Sequence, residues 1–339
     1  MEFGVALPNC TEGMAYPIRF TDHEGMLRIA VEVEELGYDS AMVNDHYSTM
    51  PYVREMFSEP PRFYEPLISL AYVAARTSRV KLMTGVVVMP MREPVVLAKQ
   101  VATLDQMSGG RLTLGLGVGS YRAEFESVRP LIKDATRSGL VDEGIESLQE
   151  LFNQRRATYR GKYVAFDDVE LFPKPLQEPF PILACGNAPG TIRRAATLCA
   201  GWMPAGLPVD RMAAGVAKLR ELATAAGRDP AQLQVTPQAV LCIDRSDAAA
   251  AERFRSSQVY EHLMSLRGAT LKDVEVEAFM SQNLIGTPEE IIRRIERMAD
   301  AGATHLAGMI VVANTEDELL EQIRFFAREV LPAFAKAAA

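Results

Sequence analysis

Three short segments carry residue types suited to chemistry. Gly115, Gly117 and Gly119 alternate with Leu116 and Val118 in a run that begins at Arg111. Alternate glycines strip one face of an extended strand of side chains, so its backbone can approach a flat ring or a phosphate closely. The spacing is not the helix-opening pattern of a dinucleotide fingerprint, and tight helix–sheet packing would use the same glycines. The second segment, Gly186 to Thr191, precedes Ile192, Ala195, Ala196 and Cys199, an apolar face at i, i+3, i+4 and i+7. Free N–H groups and the helix dipole at such a start favour an anion, which would also offset Arg193 and Arg194 in the first turn. A plain helix start capped by Thr191 accounts for it as well. The third segment is Asn44-Asp45-His46 at the end of an apolar run. Histidine titrates near neutral pH and suits proton transfer; a structurally satisfied histidine fits the same place.

Other chemistries find no support. No His, Cys, Asp and Glu fall together at metal-ligand spacing, so no metal site is expected. A G-x-S-x-G elbow is absent. A cofactor-free barrel lyase or aldolase would need a Schiff-base lysine at a strand end, and Lys81 lies early in its strand. His23, His262 and His305 read as helix or strand-start residues without assigned chemistry, and Glu32, Glu34 and Glu35 as a solvated helix face.

The elements that must position these segments alternate between strand and helix nearly end to end, the pattern of parallel βαβ units. Strands are expected at Phe3–Leu7, Ser40–Val43, Val80–Val88, Arg111–Val118, Pro181–Cys185, Gly201–Pro204, Leu233–Ile243 and Leu306–Val312. Helices open at Asp22, Pro66, Pro94, near Gly139 and after Asp210, with capping boxes at Thr287-Pro288-Glu289-Glu290 and Thr315-Glu316-Asp317-Glu318. Residues 47–64, with three prolines, read as a long functional loop. About eight strands and no Gly/Ser-rich linker favour a single domain over residues 1–339, an α/β (β/α)8 TIM barrel. An open doubly wound sheet has the same periodicity.

Of the 339 residues, 48% are hydrophobic and 24% charged, enough to bury a large core. A formal net charge of −8 argues against a nucleic-acid partner, whose phosphates need Lys and Arg. The start, Met1 to Val5, does not read as a signal peptide, and no apolar run is long enough for a membrane span. Four cysteines without paired spacing read as reduced thiols, so a cytoplasmic protein is expected.

Taken in order, several segments resemble the luciferase-like monooxygenase superfamily. They are residues 3–9, Glu35 to Ser40, Asp45-His46-Tyr47, Val80 to Val86, Leu97 to Asp105, Ser108 to Gly119, Gly286 to Glu290 and Asp300 to Thr304. The resemblance spans nearly the whole chain. It implies an eight-stranded barrel with an insertion, commonly a homodimer, and a flavin or deazaflavin at the strand C-termini. It also implies a non-prolyl cis peptide at Gly85-Val86 behind the ring, contacts from Thr84, Gly117, Gly119 and Ser120, and a phosphate site at Gly186, Asn187, Ala188 and Thr191. Trp202 and Met203 would lie near the cofactor, and residues 256–283, with Tyr260, His262, Met264 and Arg267, would form the insertion or mobile loop and supply some substrate contacts.

Two departures bear on the cofactor. FMN-using members often carry Glu-His-His after the second strand and a phosphate-gripping arginine in the fourth-strand loop; here stand Asn44-Asp45-His46 and Val118. Asp-His is more similar to members that use coenzyme F420, which is therefore favoured over FMN. Ser120 replaces the glutamate of the F420-dependent sugar-phosphate dehydrogenases, which disfavours that substrate class. The expected activity is hydride transfer between reduced F420 and a small organic substrate, with His46 supplying a proton and Asp45 orienting it. The alternatives are an FMNH2-dependent monooxygenase fed by a separate reductase, and a non-catalytic cofactor-binding subunit.

Overall fold

The computed structural model describes residues 1–266 and 275–335. Arg267 and the centre of the 256–283 segment lie outside the described residues. Strands and helices alternate as β1 (Glu2–Ala6), α1 (His23–Glu35), β2 (Ser40–Val43), α2 (Pro66–Ala74), β3 (Lys81–Thr84), α3 (Pro94–Ser108) and β4 (Leu112–Gly117). After β4 come α4 (Arg122–Val128), α5 (Arg137–Asn153), β5 (Ile182–Cys185), α6 (Pro189–Thr197), β6 (Gly201–Met203) and α7 (Val209–Ala225). The last part holds β7 (Gln238–Ile243), α8 (Gln258–Leu266), α9 (Val276–Gln282), α10 (Pro288–Asp300), β8 (His305–Val311) and α11 (Glu316–Glu329).

The strands build one large parallel sheet in the order β6-β5-β4-β3-β2-β1-β8-β7. Gln234–Val235 pairs with β6 at one end of this path, and β7 pairs with β8 at the other. Only Thr236 and Pro237 separate these two pieces of chain, and a bridge from Ala205 to Gln238 spans the ends. The sheet is therefore curled, with its strand C-termini gathered on one side.

Side-chain alternation divides the core between the two faces. Leu112, Leu114 and Leu116 point outward beneath the helices, into a cluster with Ile29, Leu97, Val101, Ile145 and Phe326. A smaller cluster of Ala6, Met42, Met83, Leu183, Cys185, Met203 and Ala307 fills the concave side. Thr113, Gly115 and Gly117 face that side, where space is scarce. A Cβ on Gly115 would lie 2.1 Å from the Thr84 carbonyl oxygen and 3.0 Å from Cys185 Sγ. Gly115→Ala is expected to lower stability by about 1–3 kcal/mol through overpacking, read as an earlier urea midpoint at unchanged m.

Local signals agree with the observed ends. Asp22 caps α1 by accepting from the Glu24 and Gly25 N–H groups at 3.0 and 2.9 Å, and Thr287 and Thr315 cap α10 and α11. Several elements differ from the sequence expectation, among them the strand expected over Leu233–Ile243, which splits into Gln234–Val235 and β7. The strand expected over residues 80–88 breaks at the cis peptide Gly85-Val86 into β3 and a short piece, Val87–Val88. The expected loop 47–64 contains the short helix Pro51–Met56. The polar stretch after β4 holds α4, which buries only Glu124 and Phe125 and so lacks an apolar stripe. Ala157–Arg160 and Ala165–Val169 also form a hairpin off the main sheet. Its strands are only four and five residues long, too short for their alternation to stand out.

All four cysteines are free and buried. Burial pushes the Cys199 and Cys242 thiols up to about 12 and holds those of Cys10 and Cys185 well above the usual thiol range. No helix among the described residues is long and apolar enough to cross a membrane.

Candidate active site

A cavity of about 360 Å³ opens where β2, β3, β4, β5 and β6 end. Gly85, Gly117, Gly119 and Gly186 expose backbone to it, and Val86, Val88, Cys185 and Met203 supply apolar contact. Gly119 holds φ at +77°, a conformation natural to glycine, which turns the chain from β4 toward Ser120 at the cavity edge. From β7, Gln238 donates its amide N–H to the Gly85 carbonyl at 3.0 Å and thereby fixes the cis segment from across the sheet.

His46 stands at the edge of this cavity, mostly buried. Its Nδ1 lies 2.9 Å from Glu124 Oε2, while Glu124 Oε1 accepts from the backbone N–H groups of Tyr47 at 2.7 Å and Ser48 at 3.1 Å. Burial raises the Glu124 carboxyl, but the hydrogen bond and charge of His46 and the two N–H donors outweigh it and hold the group below the usual carboxylate range. Phe63 and Tyr121 flank the imidazole, with ring centroids at 5.5 and 5.8 Å. Asn9 secures the same loop by accepting from the Asn44 N–H at 2.9 Å and donating to the carbonyls of Asn44 and Tyr64.

Several expected contacts fall elsewhere. Asp45 does not touch His46. It accepts from the Val88 N–H at 2.9 Å and pairs with Arg92 at 2.7 Å, and Arg92 in turn pairs with Glu65 at 2.7 Å. The orienting carboxylate is Glu124, because consecutive residues leaving β2 point to opposite sides. Burial lifts the Asp45 carboxyl above its usual range in spite of Arg92. Trp202 faces outward: it belongs to the core beneath the helices, donates its indole N–H to the Gly186 carbonyl at 2.7 Å, and leaves Met203 to face the cavity. Thr84 is also absent from the lining, since its hydroxyl is shared with the Gly115 backbone, donating at 3.0 Å and accepting at 2.9 Å.

The segment after β5 is placed as expected, at a helix start. Asn187 donates to the Ala205 carbonyl at 2.7 Å and accepts from its N–H at 3.1 Å, which ties the loops after β5 and β6 together. Ala188 caps α6 through its backbone, and Thr191 is buried in the first turn beside Gly186. Arg194 is no free cation, because Asp142 and Ser138 hold it. Arg137 reaches the cavity edge instead, donating to the Val118 and Gly119 carbonyls at 3.3 and 2.7 Å.

Beyond His46 a second cavity of about 270 Å³ shares Asn44, His46 and Ser120 with the first. The segment expected as an insertion supplies Val259, His262, Leu263 and Phe279 to it. Sequence reasoning missed Glu124, Gln238, Asn9 and Arg137 as site residues. A larger cavity, about 680 Å³, lies at the opposite strand ends, where Lys81 and Glu2 pair with each other at 2.6 Å. It holds none of the candidate site residues placed so far. Among the described residues no three potential metal ligands cluster.

The comparisons with known proteins agree with this geometry. The F420-dependent glucose-6-phosphate dehydrogenase of Kineococcus radiotolerans is 28% identical over 292 residues, 82% of this chain and 84% of its own. The FMNH(2)-dependent dimethylsulfone monooxygenase of Pseudomonas fluorescens is 28% identical over 327 residues, 90% of this chain and 85% of its own. The crystal structure of monooxygenase RslO1 from Streptomyces bottropensis superposes with a TM-score of 0.81 at 23% identity, covering 99% of this chain and 100% of that one. The family model of the luciferase-like monooxygenases matches residues 1–305. The chain belongs to the luciferase-like monooxygenase family and is an oxidoreductase of that kind.

Proposed function

We propose that the protein transfers a hydride between coenzyme F420 and a small organic substrate, on a closed (β/α)8 barrel that forms one domain with residues 256–283 as its insertion. The observation that carries this is the glycine-walled cavity with the His46–Glu124 pair at its rim. Its walls fit a flat ring, since Gly85, Gly117 and Gly119 present backbone there and are packed so closely on Met42, Val86 and Val88 that a Cβ would push those side chains aside. When bound, a reduced deazaflavin supplies a hydride, and a reduced flavin supplies electrons to dioxygen.

The chain's own residues bind, orient and handle protons. Gly85, Val86, Gly117 and Gly119 present backbone and small apolar groups to a ring, and Gln238 keeps the Gly85 carbonyl in place. Around the start of α6 the N–H groups of Asn187, Ala188 and Gly190 are the ones left to offer a phosphate, because Pro189 has none and those of Gly186 and Thr191 donate to the Met203 and Ala188 carbonyls. Glu124 anchors Nδ1 of His46 and leaves Nε2 to hold or deliver a proton at a substrate oxygen. Asp45 acts one step back, by fixing Val88 and Arg92.

One observation favours the FMNH2-dependent alternative. Arg137 brings a cation to the Val118–Gly119 loop from α5, where the missing loop arginine would otherwise leave the phosphate without one. In that case a separate reductase supplies the reduced flavin. A homodimer formed through exposed Ile68 and Tyr72 of α2 with Val96 and Met107 of α3 belongs to the same proposal. Titration with oxidised and reduced forms of both cofactors, followed by absorption, tests it. Tighter binding of F420 is expected. Tight binding of neither cofactor sinks the oxidoreductase assignment, and binding without turnover on any substrate favours a passive subunit.

A further inference from the structure

The second cavity is chemically unlike the first. Its wall is mainly apolar, with Met14, Val240, Leu263, Phe279 and Ile310 among the lining, and among its described lining residues none is Lys, Arg, Asp or Glu. Its polar groups include Asn44, His46 and Ser120, the three residues shared with the cofactor cavity. We infer that this second cavity receives the organic substrate, and that the substrate is an uncharged, mainly apolar molecule presenting one hydrogen-bonding oxygen to His46. This rests on the oxidoreductase proposal above and adds the substrate class to it.

Charge decides the class. An anionic group entering an apolar cavity loses its hydration and needs a paired cation there to compensate. Neither histidine provides one. Burial, aided by the charge of nearby His46, drives His262 down to about 4, so it is neutral at pH 7. Any positive charge on His46 is already met by the Glu124 carboxylate. A phosphate or sulfonate would thus lie in the second cavity without a partner, whereas a carbonyl or hydroxyl needs only the hydrogen bond at the shared rim. At about 30 Å³ per water of liquid volume, 270 Å³ holds a molecule of on the order of ten non-hydrogen atoms.

Three probes of one shape test the inference: cyclohexanone, cyclohexanesulfonate and cyclohexyl phosphate. Each is titrated by calorimetry into the protein loaded with the oxidised form of whichever cofactor binds, and difference absorption of that cofactor reports occupancy beside the ring. Cyclohexanone is expected to bind at least about tenfold more tightly than either anion, for want of a counter-charge. Phe279→Trp, which fills the cavity, is expected to abolish its binding while the cofactor still binds; Ile310→Phe serves the same purpose if the first variant does not fold. Equal or tighter binding of an anion, or no binding of cyclohexanone to cofactor-loaded protein, overturns the inference alone. Failure of both cofactors to bind removes the proposal beneath it as well.

Discussion

Replacing His46 by alanine is expected to cut turnover by about 10²–10⁴-fold while leaving the cofactor dissociation constant nearly unchanged. The imidazole stands at the junction of two cavities, and the substitution does not touch the glycine backbone and apolar side chains that line the larger one. Steady-state rates with a ketone or secondary alcohol, set beside cofactor titrations, separate the two effects. Unchanged turnover would remove His46 from the mechanism.

Glu124→Gln distinguishes positioning from proton transfer. The amide keeps the size of the side chain and loses the charge that faces Nδ1, so kcat should fall less than in His46→Ala. Stability should change as well, in a pH-dependent way. The Glu124 carboxyl is held below its usual range when folded, so its contribution is fully present above the unfolded value near 4.3 and is lost as pH falls through the lower folded value. The stability gap between the wild-type protein and Glu124→Gln is therefore expected to be widest at neutral pH and to close in acid. Urea midpoints at several pH values measure it.

The other large effect concerns Arg92. Its guanidinium joins Asp45 to Glu65 and lies 4.5 Å from the centre of the Tyr47 ring, and both it and Asp45 are buried. Arg92→Ala strands the Asp45 carboxylate among apolar neighbours, and breaking a buried pair in this way costs about 3–5 kcal/mol. The Asp45 carboxyl already sits above its usual range through burial, and without Arg92 it rises further. An acid whose folded pKa is raised loses stability as pH rises through that value. Destabilisation by Arg92→Ala should accordingly be smaller at pH 5 than at pH 8. Equal loss at both pH values would mean that Asp45 stays ionised in the variant and that its charge finds another partner.

Much of the frame could be read from the chain because period and punctuation coincided there. The leucines of β4 alternate with the residues that face the cavity, Asp22 and the two late threonines mark helix starts, and Gly109 closes α3 in the left-handed conformation. His46, Gly85, Val86, Gly117, Gly119, Ser120 and Gly186 line one cavity, at the strand ends where the family resemblance implies a cofactor. The residues that escaped notice act across long separations. Glu124 reaches His46 over 78 positions from a short helix with no apolar stripe, and Gln238 reaches Gly85 over 153. No local pattern encodes such pairs. Asp45 misled for the opposite reason: adjacency to His46 suggested contact, but the chain leaving β2 turns the two side chains apart. Trp202 repeats that lesson on β6, where one step along the strand exchanges the outer face for the inner.

The buried cysteines have a use of their own. A thiolate, not a thiol, attacks iodoacetamide, and these four resist both solvent and ionisation while the chain is folded. Alkylation then clocks local opening at three separate stations, Cys10 near His46, Cys199 just after α6 and Cys242 within β7, while Cys185 reports on the cavity that it lines. A dye directed to a cysteine newly placed on the surface would label that position alone.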